Sequence, residues 1–381
     1  MENKKLYYSL FYAIIGNVIG YSNGIKNFNE DMRIQNMTHA KHLSNITLHH
    51  IFNFIAFGGY SNYPIKKFTS SGNVILLLAV FDAIKKSLNK SNNYIIKEVE
   101  KQLISYYKKY KLNRDNETYY YDKQTIKSLE RLYKKNLNWN NFHYSENAIG
   151  NTASIRSIPI GLFYYGKKNR DKLLEISIQT SRITHNNPTG YLGGFASALF
   201  TALAMEKINP TEWIEELLSF FSNGKIKNFI KTNIANKFKN ELKYHYNDID
   251  NFFFLLMKYR EWRFEFVNKK YIFIPASNDG QQFIKVLDFR NFLFFQKFST
   301  HGYYNPGSNG LDSLLIAYDS ILECDGNFEK LIYYSMLHAG DSDATGCIAA
   351  ALFGAYYENV NLPHNLTLID LQDQLDDITN N

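Results

Sequence analysis

An all-α fold is what this sequence predicts, and three observations predict it. Apolar residues recur at helical rather than alternating spacing through most of the chain. Extended character is confined to one plausible stretch, YIFIPAS at residues 271–277. Two small-residue runs, GGFASALFTALA at 193–204 and CIAAALFGA at 347–355, carry Ala or Gly three and four residues apart. Such faces let helix backbones approach closely, so both are expected at the centre of an all-α domain.

The elements follow in order. LYYSLFYAIIGNVIG (6–20) is expected as a buried first helix. Its apolar run is too brief to span a bilayer, Asn17 and the glycines interrupt it, and no small-residue cleavage site follows. SSGNVILLLAVFDAIKKSL (70–88), NYIIKEVEKQLISYYKKY (93–110) and KQTIKSLERLYKK (123–135) are helices with lysines along one face. Those lysines are expected to be solvated faces rather than a nucleic-acid surface. RDKLLEISIQTSRI (170–183), GGFASALFTALAMEKI (193–208), PTEWIEELLSFFSN (210–223) and DIDNFFFLLMKY (248–259) continue the pattern. GLDSLLIAYDSIL (310–322) and FEKLIYYSMLHAG (328–340) close it before the helix through Ile348–Tyr357. Start signals stand at Pro210-Thr211, before Trp213, and at Asp312.

Seven prolines in 381 residues, with no Ser/Gly linker, low-complexity tract or solenoid repeat, predict one continuous domain over 1–381, with a core at about 5–360 and a tail at 361–381. Apolar residues make up 45% and charged residues 21%, which is enough for a sizeable core and excludes a disordered chain. The 29 Tyr and 29 Phe are spread throughout, so they read as a nucleotide-composition bias shared with Asn, Lys and Ile rather than as a stacking surface. A net charge of +7 mildly favours anionic partners. Cys324 and Cys347 match no disulfide framework, which fits a reducing interior. A soluble, cytoplasmic monomer is expected, with neither membrane nor nucleic acid as partner.

Four stretches carry chemistry. In HAGDSDATGC (338–347), Asp341 and Asp343 are hard acceptors two residues apart, suited to Mg²⁺, Ca²⁺ or Mn²⁺. The same residues also read as plain helix capping by Asp343 or Thr345. In AIGNTASIRSIPIGLFYYG (148–166), a Gly150-Asn151 turn can offer N–H groups to a phosphate or ribose oxygen, or simply lead into a buried helix. Arg156 there can pair with a carboxylate inside the fold. SRITHNNPTGYLGG (181–194) brings His185, a catalyst or a satisfied structural histidine. FSTHGYYNPGSNGLDSLLIAYDSIL (298–322) is a Gly/Asn/Tyr loop before a helix, able to cover a ligand or only to connect.

In this order and with this content, GNTASIRSIPIGLFYYG, THNNPTGYLGGFASALFTA, GSNGLDSLLIAYDSIL and LHAGDSDATGCIAAALFGAYY resemble the ADP-ribosylglycohydrolase family, and within it the branch that removes ADP-ribose from arginine. The resemblance begins at LFYAIIGNVIGYSNGIKNFN and reaches about Tyr357. It implies a compact helical bundle with two Mg²⁺ ions in a cleft, which orient ADP-ribose and help water attack the anomeric carbon. It implies metal ligands in a Ser/Thr-Asp-Asp run near residue 70 and an Asp-x-Asp-Ser/Thr run near the C-terminus. It places the ADP-ribose pocket at Gly150, Asn151, Thr152, His185, Gly302, Tyr303, Ser308 and Gly310.

This chain departs from that pattern at the metal. Asp341 and Asp343 survive, but Ala344 stands where a hydroxyl ligand belongs, and Thr345 keeps one a position late. In KKFTSSGNVILLLAVFDAI (66–84), Ser70 matches the first ligand, while Ser71 and Gly72 replace both carboxylates and Asn73 replaces the usual Thr. Asn17 stands where the resemblance implies Asp. Two carboxylates of four remain, so at most one weakly held Mg²⁺, or none, is expected. Without metal, the surviving carboxylates should titrate upward or recruit a Lys or an amide. In the pocket, Thr152 replaces a second glycine, and YDKQTIKSLERL (121–132) stands where a Gly-rich segment is implied. The leading expectation is a chain that binds ADP-ribose or an ADP-ribosylated partner with impaired or no hydrolysis. The alternatives are an active one-metal hydrolase for arginine-linked ADP-ribose and an interaction protein that keeps only the fold.

Overall fold

Helices dominate the structure, a computed structural model that describes residues 2–21, 40–111, 119, 121–135, 137–234, 238–276, 283–298, 305–358, 361–369 and 371–380. The one sheet among these residues has two strands, Phe264–Val267 and Lys270–Phe273. The second strand overlaps the stretch expected to be extended at residues 271–273. Its partner was not anticipated, because the turn between them carries positive φ at Asn268 and Lys269 instead of the usual glycine. Helices Ala40–Ala56, Lys225–Asn233 and Phe283–Phe292 also go beyond the sequence reading.

The chain divides into two compact units. The first comprises Met1–Val74, Phe273–Ser308 and Asp312–Asn381, and the second comprises Ile75–Ile272 and Asn309–Leu311.

The first unit is built on two helices with small residues at their contact, Glu2–Gly20 and Ser342–Tyr357. A Cβ on Gly16 would lie 2.2 Å from the Gly346 carbonyl oxygen, so the backbones meet there without side chains between them. Ser9 Oγ donates to the Ala351 carbonyl at 3.0 Å, and the Tyr12 ring packs on Phe328 and Phe353. Helix Phe283–Phe292 is tied to Gly310–Cys324 by a buried ion pair, Arg290 Nη1 to Asp319 Oδ2 at 2.6 Å, with Ser320 Oγ on the other nitrogen. Gly16→Ala and Gly346→Ala are each expected to destabilise the protein by about 3 kcal/mol through overpacking, read as a lower midpoint in denaturant unfolding. An unchanged midpoint would mean that the two helices are free to move apart.

The second unit is centred on Pro188–Met205, of which every residue is buried. A helix apolar all round belongs in an interior. Asn187 caps it, its side chain accepting from the Thr189 N–H at 2.8 Å. Helices Thr152–Arg156, Ile158–Phe163 and Arg170–Arg182 pack around it. The lysine-rich helices Asn92–Lys111 and Lys123–Lys135 present lysines to solvent, with Lys101 paired to Glu98 at 3.6 Å and Lys134 to Glu130 at 2.8 Å within their own helices. No helix among the described residues is long and apolar enough to cross a membrane. Cys324 and Cys347 are buried free thiols.

Candidate functional site

In the first unit, Asn17 links Ser71 to Asp343. Asn17, on the first helix, is fully buried and makes a two-point clamp on the FTSSGN run. Its Oδ1 accepts from the Ser71 N–H at 2.7 Å, and its Nδ2 donates to Ser71 Oγ at 3.0 Å. The same Nδ2 reaches the Asp343 carbonyl at 3.3 Å and Asp343 Oδ2 at 3.4 Å. One amide therefore joins the two halves of the expected cage, which lie 54 and 326 residues away in sequence. At Asp343 the carboxylate is met by an amide donor.

The capping alternative for HAGDSDATGC is corrected. The helix starts at Ser342, so Asp343 sits in its first turn, Thr345 lies inside it, and Asp341 precedes it without a side-chain capping bond. Nor does Thr345 stand in for the missing hydroxyl. Its Oγ1 donates to the Ser335 carbonyl at 2.7 Å and lies 2.8 Å from His338 Nε2, bonds that hold it inside the unit. Ala344 is fully buried, Ser70 is buried, and Gly72 opens helix Gly72–Lys86. Among the described residues, no group of three or more His, Cys, Asp or Glu side chains could hold a metal ion. With an amide N–H donor aimed at Asp343, these residues do not fit a two-ion centre, since a cation and an N–H donor compete for the same oxygen.

The second unit gathers several buried polar residues. Gly150 pairs with Asn309 as an isolated bridge, and Asn151 and Thr152 are buried at the start of the short helix that carries Arg156. His185 is fully buried; its Nδ1 lies 2.7 Å from Thr184 Oγ1, and its Nε2 has no hydrogen-bond partner among the described residues. A Cβ on Gly150 would come within 2.9 Å of that Nε2, so glycine lets the backbone approach the ring this closely. Burial pushes the imidazole down to about 4, Arg156 adding to the effect and Asp122 opposing it, so the ring is neutral at neutral pH.

Asp122 was not anticipated as a site residue. It caps helix Lys123–Lys135, with Oδ1 accepting from the Thr125 N–H at 2.9 Å and Oδ2 from the Thr152 hydroxyl at 2.7 Å. Its Oδ1 lies 4.0 Å from His185 Nε2. Burial works against the ionised carboxyl, but His185 and the donors of Thr125 and Thr152 hold it below the usual carboxylate value. The only signal in the sequence was the capping pattern Asp-x-x-Thr. Arg156 does not pair with a carboxylate as expected. Its Nη2 donates to the Thr180 and Ser181 carbonyls at 3.0 Å each, and its Nε and Nη1 have no partner among the described residues.

The remaining expected residues divide. Gly310 donates its N–H to the Ile149 carbonyl at 2.8 Å and accepts from Ser154 Oγ at 3.2 Å, and a Cβ there would strike the Thr189 carbonyl. Its place is a close backbone crossing. Ser308, which belongs to the first unit, is exposed in a turn. Gly302 and Tyr303 lie outside the described residues.

A helical chain with two carboxylates at the start of one small-residue helix, and Gly150, Asn151 and His185 near another, has the marks of one class of glycohydrolase. The family model for ADP-ribosylglycohydrolase matches residues 76–380, and the chain belongs to that family. It is 31% identical to the ADP-ribosylhydrolase ARH1 of Dictyostelium discoideum, an alignment that covers 92% of this chain and 86% of that protein. It is 32% identical to a protein of Acanthamoeba polyphaga mimivirus named for ADP-ribosyl glycohydrolase, over 91% of this chain and 63% of the viral protein. The chain thus spans less than two thirds of that relative's length. A solved structure described as an ADP-ribosylglycohydrolase-related protein complex shares the fold, with a TM-score of 0.54 at 14% identity over 99% of this chain and 96% of its own.

Proposed function

We propose that this chain binds ADP-ribose or an ADP-ribosylated protein and that its hydrolysis is impaired or lost. The observation that carries this reading is the Asn17 amide, bonded to Ser71 and directed at Asp343 where the family resemblance implies carboxylates around metal. An amide and a serine hydroxyl cannot take a proton from water at neutral pH, so the general-base work lacks a group at these positions. Asp341 and Asp343 leave room for at most one weakly held Mg²⁺. The second unit keeps Gly150, Asn151 and a neutral His185, groups able to hydrogen-bond a ligand.

A thermal-shift titration with ADP-ribose, with and without Mg²⁺, tests the reading. Stabilisation by mass action is expected in both conditions, about 3 kcal/mol at a hundredfold excess over Kd. Release of ADP-ribose from modified arginine should stay at the level of a no-enzyme control. A shift that requires Mg²⁺, together with turnover, would replace this reading with an active hydrolase. No shift in either condition would leave only the inherited fold.

A further inference from the structure

Asp122 is an anionic group where a ligand carrying a diphosphate is expected, and nothing in the proposed reading explains it. Its two oxygens are set by the Thr125 N–H and the Thr152 hydroxyl, and each retains a lone pair for another donor. The side chain is 30% exposed, so a ligand can reach it. Across from it stands His185 Nε2, fully buried and unpartnered among the described residues, with the Gly150 backbone so near that a Cβ there would lie 2.9 Å from it. The 4.0 Å between Oδ1 and Nε2 is too long for a direct hydrogen bond and short enough for one oxygen to touch both.

We propose that Asp122 and His185 together read the vicinal diol of a ribose, which makes Asp122 a specificity-determining residue that favours sugar hydroxyls over phosphate at this point of the pocket. A hydroxyl donates to the carboxylate and accepts from Nε2–H, the tautomer set when the Thr184 hydroxyl donates to Nδ1. A carboxylate is an established partner for ribose hydroxyls in nucleotide sites. A phosphate oxygen has no proton to give and meets Asp122 only as a like charge. Thr152 acquires a role on the same account. In place of a second glycine, its hydroxyl fixes the carboxylate that does the reading. The inference rests on the proposed ADP-ribose binding.

Calorimetric titration of the full chain tests it, with ADP-ribose, D-ribose 5-phosphate and 2-deoxy-D-ribose 5-phosphate as probes. The two sugar phosphates differ by one hydroxyl and share the phosphate. The natural chain is expected to bind ribose 5-phosphate at least fivefold more tightly than its 2-deoxy counterpart. Asp122→Asn is expected to abolish that preference and to weaken ADP-ribose at least tenfold. Equal or tighter ADP-ribose binding by Asp122→Asn would show that the carboxylate faces phosphate, and would overturn the proposal. If that variant does not fold, the comparison of the two sugar phosphates on the natural chain decides alone, and absence of a preference overturns the proposal. Failure of the natural chain to bind ADP-ribose would overturn the proposed function, while a preference for ribose 5-phosphate would still support the diol site.

Discussion

Replacing Asn17→Asp, Ser71→Asp, Gly72→Asp and Ala344→Ser together is expected to raise Mg²⁺ affinity at least a hundredfold over the natural chain, about 3 kcal/mol of binding free energy. Mg²⁺ needs a nearly complete oxygen octahedron and gives up water reluctantly, so a site with two carboxylates holds it weakly. The variant supplies the missing oxygens. It also removes the Asn17 N–H donor now 3.4 Å from Asp343 Oδ2. The same variant with Asn17 retained is expected to gain less, because that donor still competes for the carboxylate. Without metal the added negative charges repel one another, so the full variant should melt below the natural chain in chelator and above it in Mg²⁺. Calorimetry and melting curves check both statements. An affinity equal to that of the natural chain would mean that FTSSGN is not the other half of the cage.

Acid should destabilise this protein well before its carboxylates are protonated. Burial pushes His245 down to about 4, with Arg182 adding to the effect and Glu241 opposing it. Burial, with Arg290 and His50, pushes His338 down to about 3. Both folded values lie below the ordinary value near 6.5, so the unfolded chain takes up protons first as pH falls. The stability is therefore fully present above 6.5 and is lost through the window down to about 4 for His245 and about 3 for His338. At about 1.4 kcal/mol per unit of depression, each histidine can remove on the order of 3 kcal/mol. Midpoints of denaturant unfolding measured from pH 8 to pH 4 should fall steeply below 6.5. His245→Asn, whose amide can still meet the Tyr191 hydroxyl, should make that fall shallower. A midpoint flat across this range would show that the buried histidines are protonated without cost.

Much of the fold was legible because helical periodicity is a local signal. The spans 93–110, 123–135 and 170–183 each fall on a helix of nearly the same bounds, Asn92–Lys111, Lys123–Lys135 and Arg170–Arg182. What escaped depended on contact or on unusual backbone. Lys225–Asn233 is short and polar, and buries only Ile226 and Ile230. Phe264–Val267 is a strand only because the chain reverses at two residues with positive φ and pairs it with Lys270–Phe273.

The candidate site divides in the same way. Residue types alone determined that this chain has the helical family frame, that Asp341 and Asp343 stand two residues apart in it, and that Ser71, Gly72 and Ala344 carry no carboxylate. Those conclusions need only the chemistry of each side chain at its place in a motif. Only the tertiary structure decided what occupies that chemistry now. Asn17 meets Ser71 and Asp343 because helices far apart in sequence pack at Gly16 and Gly346, and Asp122 faces His185 because helix Lys123–Lys135 is hydrogen-bonded to the Thr184 carbonyl next to it. Hydrogen bonds across such distances leave no periodicity in the chain. They are set by where the backbones can approach, which is a property of packing rather than of any one segment.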